Sequence, residues 1–251
     1  MQVLSIRVTK QDLDSLSEKE RLLLLQLGHL GNDLNILVKL SGFLQRQSSD
    51  GKPEVRAQMG MFMMVTRILG SKMWEGWDMI KRCYLEEDEL QNFPIHKIGQ
   101  SAIESLREVF EKMDTKIGRN KRNILEVLRN SEFHYDQSWF ERTLAEVPDE
   151  FSSCVLTQRA TGNMFFGISE DFVSLRLLRL TGKKSVEEAV GIVYDTLLPV
   201  YADFHVLIAA LHSALLEKAK GPLPAERLEV HSVPFDSVVI PFFVDDPRAG
   251  S

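Results

Sequence analysis

Long runs in which apolar side chains return every three or four positions dominate this chain, and over such lengths that period fits an amphipathic α-helix. Ser17 and Glu20 stand at capping-box spacing, and Leu23, Leu27, Leu30, Leu34 and Ile36–Leu37 then predict a first long helix to about Gln45. The turn-forming stretch Ser48–Pro53 closes it. A second helix is expected from Glu54 to about Glu86 through Met59, Met63, Ile68, Met73, Trp77 and Ile80, with a break expected near Gly70–Ser71. A third run starts near Ser101, meets Gly118 and resumes through Ile124, Leu125 and Leu128, and a short helix over Ser138–Glu146 follows. The implied class is mainly α: a helical bundle over residues 1–147.

The texture then changes. Residues 148–220 read as a β-hairpin, of two or three strands around Thr161–Gly162–Asn163, followed by a long helix packed on the bundle. That helix carries Val186, Ala189, Val190, Val193, Leu197, Val200, Phe204, Ile208, Leu211 and Leu215, and Pro199 should kink it. Pro222, Pro224, Pro234, Pro241 and Pro247 make residues 221–251 a Pro-rich arm that cannot continue the helix, although Ser237–Val244 is apolar enough to dock in extended form.

A chain of 251 residues can bury a core without disulfides or metals. Cys83 and Cys154 match neither a zinc knuckle nor a CxxC redox pair, so free thiols, a reducing compartment and no structural metal are expected. The apolar stretches are interrupted well before the roughly 20 residues of a bilayer span. Residues 1–10 lack the basic and apolar regions of a secretory signal. The expectation is a cytoplasmic protein without a membrane partner. The formal net charge of −6 argues against adhesion to nucleic acid through bulk charge, so any such contact must be local.

The local exception is Lys116–Asp136. Lys116, Arg119, Lys121, Arg122 and Arg129 are opposed between Lys116 and Arg129 by Glu126 alone, which makes an anion-binding face. The same residues also fit a solvated helix surface, since Arg122–Glu126 and Glu126–Arg129 stand at ion-pair spacing. At the end of this stretch comes Arg129-Asn130-Ser131-Glu132-Phe133-His134-Tyr135.

An Arg and a His separated by four residues, with Asn after the Arg, at the end of a bundle helix resembles the Arg-x4-6-His signature of the HEPN superfamily. These all-helical domains include many metal-independent ribonucleases of toxin, phage-defence and RNA-processing systems. The resemblance implies a HEPN-like bundle, Arg129, Asn130 and His134 as catalytic residues, RNA contacts from Arg119, Lys121, Arg122 and Tyr135, and neither cofactor nor metal. Tyr135 directly follows the His, where some toxin members have one residue between, and the hairpin and last helix have no counterpart in the core pattern.

In an unbroken helix five residues turn about 500°, so Arg129 and His134 would point roughly 140° apart. Either Asn130–Ser131 ends the helix and lets His134 fold back, or two subunits bring two motifs together. The second arrangement, a homodimer, supplies two imidazoles for the proton transfers and two guanidiniums for a charged phosphorane. The competing reading is a non-catalytic helical module for dimerisation or partner docking, in which Arg129 caps the helix and His134 is a turn residue.

Other groups speak less clearly. His29 and Asp33 could lend polar groups to the bundle, but Gly28 and Gly31 beside them argue equally for close helix packing. His205 and His212 align on one face with no acid positioned to complete a metal set. Met59–Met64 with Trp74 and Trp77 could form a binding surface or fill a core.

Overall fold

In chain order the elements are β1 (Gln2–Ser5), α1 (Lys10–Asp14), α2 (Glu18–Gln45), α3 (Pro53–Ile80), α4 (Lys97–Phe110), α5 (Lys116–Phe133), α6 (Gln137–Glu146), β2 (Val155–Thr157), β3 (Met164–Phe166), α7 (Gly167–Thr181), α8 (Val186–Lys220) and β4 (Glu226–Glu229). They come from a computed structural model that describes residues 1–45, 53–91, 93–112, 116–133, 137–157, 164–222 and 226–242. The protein is mainly helical with a small β-hairpin, as the apolar periodicity requires.

The long helices begin where the sequence signals them. The Ser17 amide donates to Glu20 Oε2 at 3.0 Å and the Glu20 amide to Ser17 Oγ at 3.3 Å, which closes the capping box ahead of α2. Ser185 accepts from the Glu188 amide at 3.2 Å, a one-way N-cap at the start of α8 without the return bond of a capping box. Two departures stand out. No break occurs at Gly70–Ser71: α3 runs to Ile80 and passes into a π-helical turn over Lys81–Leu85. Gly70 is there for packing, since a Cβ at this position would lie 2.7 Å from Leu128 Cδ1.

The second departure follows the hairpin. β2 and β3 pair antiparallel with Leu156 opposite Phe165, and the Thr161–Gly162–Asn163 turn lies outside the described residues. In place of a third strand, α7 starts directly after β3. Phe172, Val173 and Leu177 fall on one helical face and are buried. Phe140, Val147 and Phe151 pack against Phe172 and Val173.

Two compact units emerge, and α2, α3, α5 and α8 contribute residues to each. The first comprises Met1–Ile36, Lys72–Asn123 and Leu198–Pro234; the second comprises the described parts of Leu37–Ser71, Ile124–Leu197 and Phe235–Ser251. Unit 1 is centred on aromatics: Trp77 stacks on Phe110 at 5.6 Å between centroids, and Phe110 meets Phe204 edge-on at 6.1 Å. In the same unit β1 pairs antiparallel with β4, so part of the C-terminal arm is a strand. In unit 2 Phe235 lies against Phe43 at 4.4 Å, Phe242 against Phe165 at 5.5 Å, and Gln58 donates to the Ile240 carbonyl at 2.6 Å. The extended arm does dock.

α8 is the one helix among the described residues that is long and apolar enough to cross a membrane by length and composition. Its buried residues, from Ala189, Val190, Val193 and Leu197 to Val200, Phe204, Leu207, Leu211 and Leu215, recur at helical period, with Asp195, His205 and Ser213 exposed between them. That is the stripe of a core helix. Pro199 stands on the exposed side, and Asp195, whose carbonyl loses its amide partner, is exposed too.

Because Phe204 is fully buried against Phe110, Phe204→Ala should destabilise the protein by about 3–5 kcal/mol. A urea titration followed by helical circular dichroism reads this directly, and an unchanged midpoint would contradict the assigned core.

Candidate functional site

The motif helix is held by its apolar side. Ile124, Leu125 and Leu128 of α5 are buried, and Leu128 fills the space left by the missing side chain of Gly70 on α3. The next two residues, Arg129 and Asn130, are half-buried in unit 2. α5 continues through Ser131 to Phe133, so Asn130–Ser131 does not end the helix as the fold-back alternative required. α6 begins at Gln137. His134 and Tyr135 lie outside the described residues.

Unit 2 also contains buried polar groups on the neighbouring elements. The Arg67 guanidinium, 8% exposed, donates to both carboxylate oxygens of Glu170 at 3.0 and 3.3 Å. Ser71 Oγ on α3 and Thr143 Oγ1 on α6 are buried with no hydrogen-bond partner among the described residues. An unsatisfied buried hydroxyl costs roughly 1–3 kcal/mol.

The remaining basic residues of α5 differ from one another. Arg119 is exposed and Lys121 half-buried. Arg122 is drawn onto the indole of Trp74, with its guanidinium carbon 5.7 Å from the ring centroid. It lines a cavity of about 300 Å3 in unit 1 with Trp74, Phe110, Lys81, Asp78 and Glu111. A guanidinium over an indole face is held by the ring quadrupole, so Arg122 is neither a solvated charge nor one of the Glu126 ion pairs drawn from spacing. The Met and Trp cluster is divided: Met63, Met73 and Trp77 are buried, whereas Met64 is exposed.

In unit 1 His29 Nε2 lies 3.7 Å from Asp33 Oδ2, but the His29 side chain is 76% exposed and Lys72 donates to the same carboxylate at 2.7 Å. Cβ atoms at Gly28 and Gly31 would stand 3.6 Å from His212 Nε2 and 3.4 Å from Ile208, ordinary contact distances, so neither position requires glycine for packing. Across from them Tyr201, His205 and His212 line a groove of about 260 Å3. The Tyr201 hydroxyl donates to Asn35 Oδ1 at 2.6 Å. Burial holds the His212 pKa below the ordinary histidine value and pushes that of Tyr201 up. No cluster of three His, Cys, Asp or Glu able to hold a metal occurs among the described residues.

The largest of these concavities, about 480 Å3 in unit 2, was not foreseen from sequence. Two of its acids pair across the chain, Asp171 with Arg56 in the lining and Glu170 with Arg67 behind it. Partners more than a hundred residues apart leave no local pattern. No family model matches this chain, nor does any curated protein or solved structure.

The buried His212 carries a pH prediction. Its folded pKa is below its unfolded value, so the unfolded chain binds the extra proton first as pH falls. The stability this neutral imidazole supports is present above the unfolded value near 6.5 and is lost as pH drops towards the folded pKa. Thermal unfolding of the parent and of His212→Gln, measured between pH 7.5 and 5, should show a steeper acid loss for the parent. Parallel curves would remove His212 as the source.

Proposed function

We propose that the protein is a metal-independent endoribonuclease of the HEPN type, or a degenerate relative of one, acting as a homodimer in the cytoplasm. The observation that carries this is the local architecture of the motif. α5 is anchored at its crossing with α3 one residue before Arg129 and holds Arg129 and Asn130 half-buried within its described span, Lys116–Phe133. A guanidinium fixed by a packed helix is the part of the Arg-x4-His chemistry that this anchoring supports.

In that chemistry a neutral imidazole takes the proton of the RNA 2′-OH. The 2′ oxygen attacks the adjacent phosphorus and the P–O5′ bond breaks. A protonated imidazole from the second copy's motif gives its proton to the departing 5′ oxygen. Arg129 stabilises the charge on the phosphorane through parallel donors. Arg119 and Lys121 supply cationic groups for the phosphate backbone, with Arg122 fixed on Trp74 and Tyr135 beside His134 as further substrate contacts. The products are a 2′,3′-cyclic phosphate and a 5′-hydroxyl. A toxin or defence role would follow from the same activity. If there is no cleavage, the motif region serves dimerisation or partner docking.

Purified protein incubated with labelled RNA in EDTA should produce 2′,3′-cyclic phosphate ends, with a bell-shaped pH dependence and no cutting of DNA. His134→Ala should lower the rate on the order of 10²–10⁴-fold. Arg129→Lys should also be damaging, because an ammonium cannot grip a phosphate through two parallel donors. If a panel of structured and unstructured RNAs stays intact over hours, or the His134→Ala protein cleaves as fast as the parent, the enzyme reading fails and the interaction-module reading replaces it.

A further inference from the structure

The unit 2 cavity has the construction of a small-molecule site, and its chemistry selects a class of ligand. Its walls come from α3, α7, α8 and β3 and are largely apolar. The Phe165 ring lies so close over Gly60 that a Cβ there would stand 2.5 Å from it, and Met59, Phe62 and Val190 continue the surface. A volume of about 480 Å3 falls in the range that encloses most of a drug-sized molecule. Methionine walls adapt to irregular apolar shapes.

Charge decides what the polar part of that molecule must be. Glu170 is held through both oxygens by Arg67, and Asp171 is held by Arg56 at 2.8 and 3.0 Å with Ser153 as an additional donor. Arg67 is engaged through both Nη atoms and Arg56 through Nη2, so a carboxylate or phosphate of a ligand would compete at either guanidinium with an acid already in place. Glu187, also lining the cavity, makes no ion pair or hydrogen bond among the described residues. Among the described residues the two arginines face three carboxylates, Glu170, Asp171 and Glu187, which leaves one negative charge uncompensated at a largely apolar cavity. We propose that this cavity binds a small organic cation: an ammonium, guanidinium or phosphonium group on an apolar body, with the cation at Glu187 and the body against Phe165 and Met59. The proposal is independent of ribonuclease activity.

Gly191 offers a way to close the site. It lines the cavity, and a Cβ built on it meets nothing within 4 Å, so a large side chain there projects into open space. The test uses the full chain with tetraphenylphosphonium and its near-isosteric anion tetraphenylborate, each titrated by calorimetry. Tetraphenylphosphonium should bind saturably at one site per chain and more tightly than tetraphenylborate. Glu187→Gln, an exposed substitution, should weaken it roughly two- to fivefold, the scale of a partly screened ion pair. Gly191→Trp should abolish saturable binding, whereas Gly191→Ala should retain it, with circular dichroism confirming that both variants fold. Absence of saturable binding by the parent overturns the proposal, as does equal or tighter binding of tetraphenylborate. Undiminished binding by Gly191→Trp also overturns it. A change in sedimentation of Gly191→Trp without a change in phosphonium binding would assign the cavity to a second copy of the chain instead.

Discussion

At Gly76 of α3 a methyl group would stand 2.8 Å from both δ carbons of Leu30, and at Gly70, on the same helix, 2.7 Å from Cδ1 of Leu128. A glycine inside a helix costs roughly 1 kcal/mol relative to alanine, so α3 gives up intrinsic stability at these two positions, as it does at Gly60 under Phe165. What it gains is approach: in unit 1 a leucine of α2 sinks against its backbone, and in unit 2 a leucine of α5 does so. Leu30 and Leu128 are buried as a result. The position of Arg129, the residue after Leu128, follows from that contact. A motif helix held at this point cannot rotate about its axis without expelling Leu128 from the core, which makes a packing constraint the basis of the candidate site's orientation.

Periodicity and caps were readable because they are local. The stripes of α2, α3 and α8, the capping box at Ser17–Glu20 and the N-cap at Ser185 all follow from spacing along a few turns. Where local signals compete, tertiary packing decided. Gly70–Ser71 looks like a break in sequence and is a crossing point in the structure. The residues after Phe166 look β-rich, yet Phe172, Val173 and Leu177 gain more by lining one face of a helix against Phe140 and Phe151. The pairing of β1 with β4 joins the two ends of the chain, and neither strand is apolar enough to announce itself.

The buried ion pairs mark the same boundary between local and global information. Glu20 belongs to a capping box that the sequence displays, but it also takes a hydrogen bond from Lys218 at the other end of the chain. Burial works to raise its pKa, and the Lys218 and Ser17 hydrogen bonds outweigh that, leaving the carboxyl below its usual value. A residue readable as a helix start is therefore also a tie between α2 and α8 in unit 1. Arg67 and Glu170 show the reverse case, with nothing in their neighbourhoods to suggest a pair and a guanidinium almost wholly enclosed. Breaking such a pair strands a charge, whereas replacing both partners by apolar groups is often tolerated. The pair therefore specifies how α7 sits on α3 more than it adds net stability.

Arg119 and Arg122 are three residues apart on one basic helix, and sequence alone gives them the same role. The structure separates them. Arg122 has a stacking partner in Trp74 and lines a cavity with Lys81, Asp78 and Glu111, so its charge acts within a fixed local setting. Arg119 projects into solvent, where its charge is hydrated, screened by salt and free to meet a phosphate without first giving up another partner. For a chain of net −6, whose overall field repels a polyanion, attraction has to come from residues of the second kind, and geometry from residues of the first. A cation that only attracts does not position a bound phosphate, and one that is already committed does not draw it in.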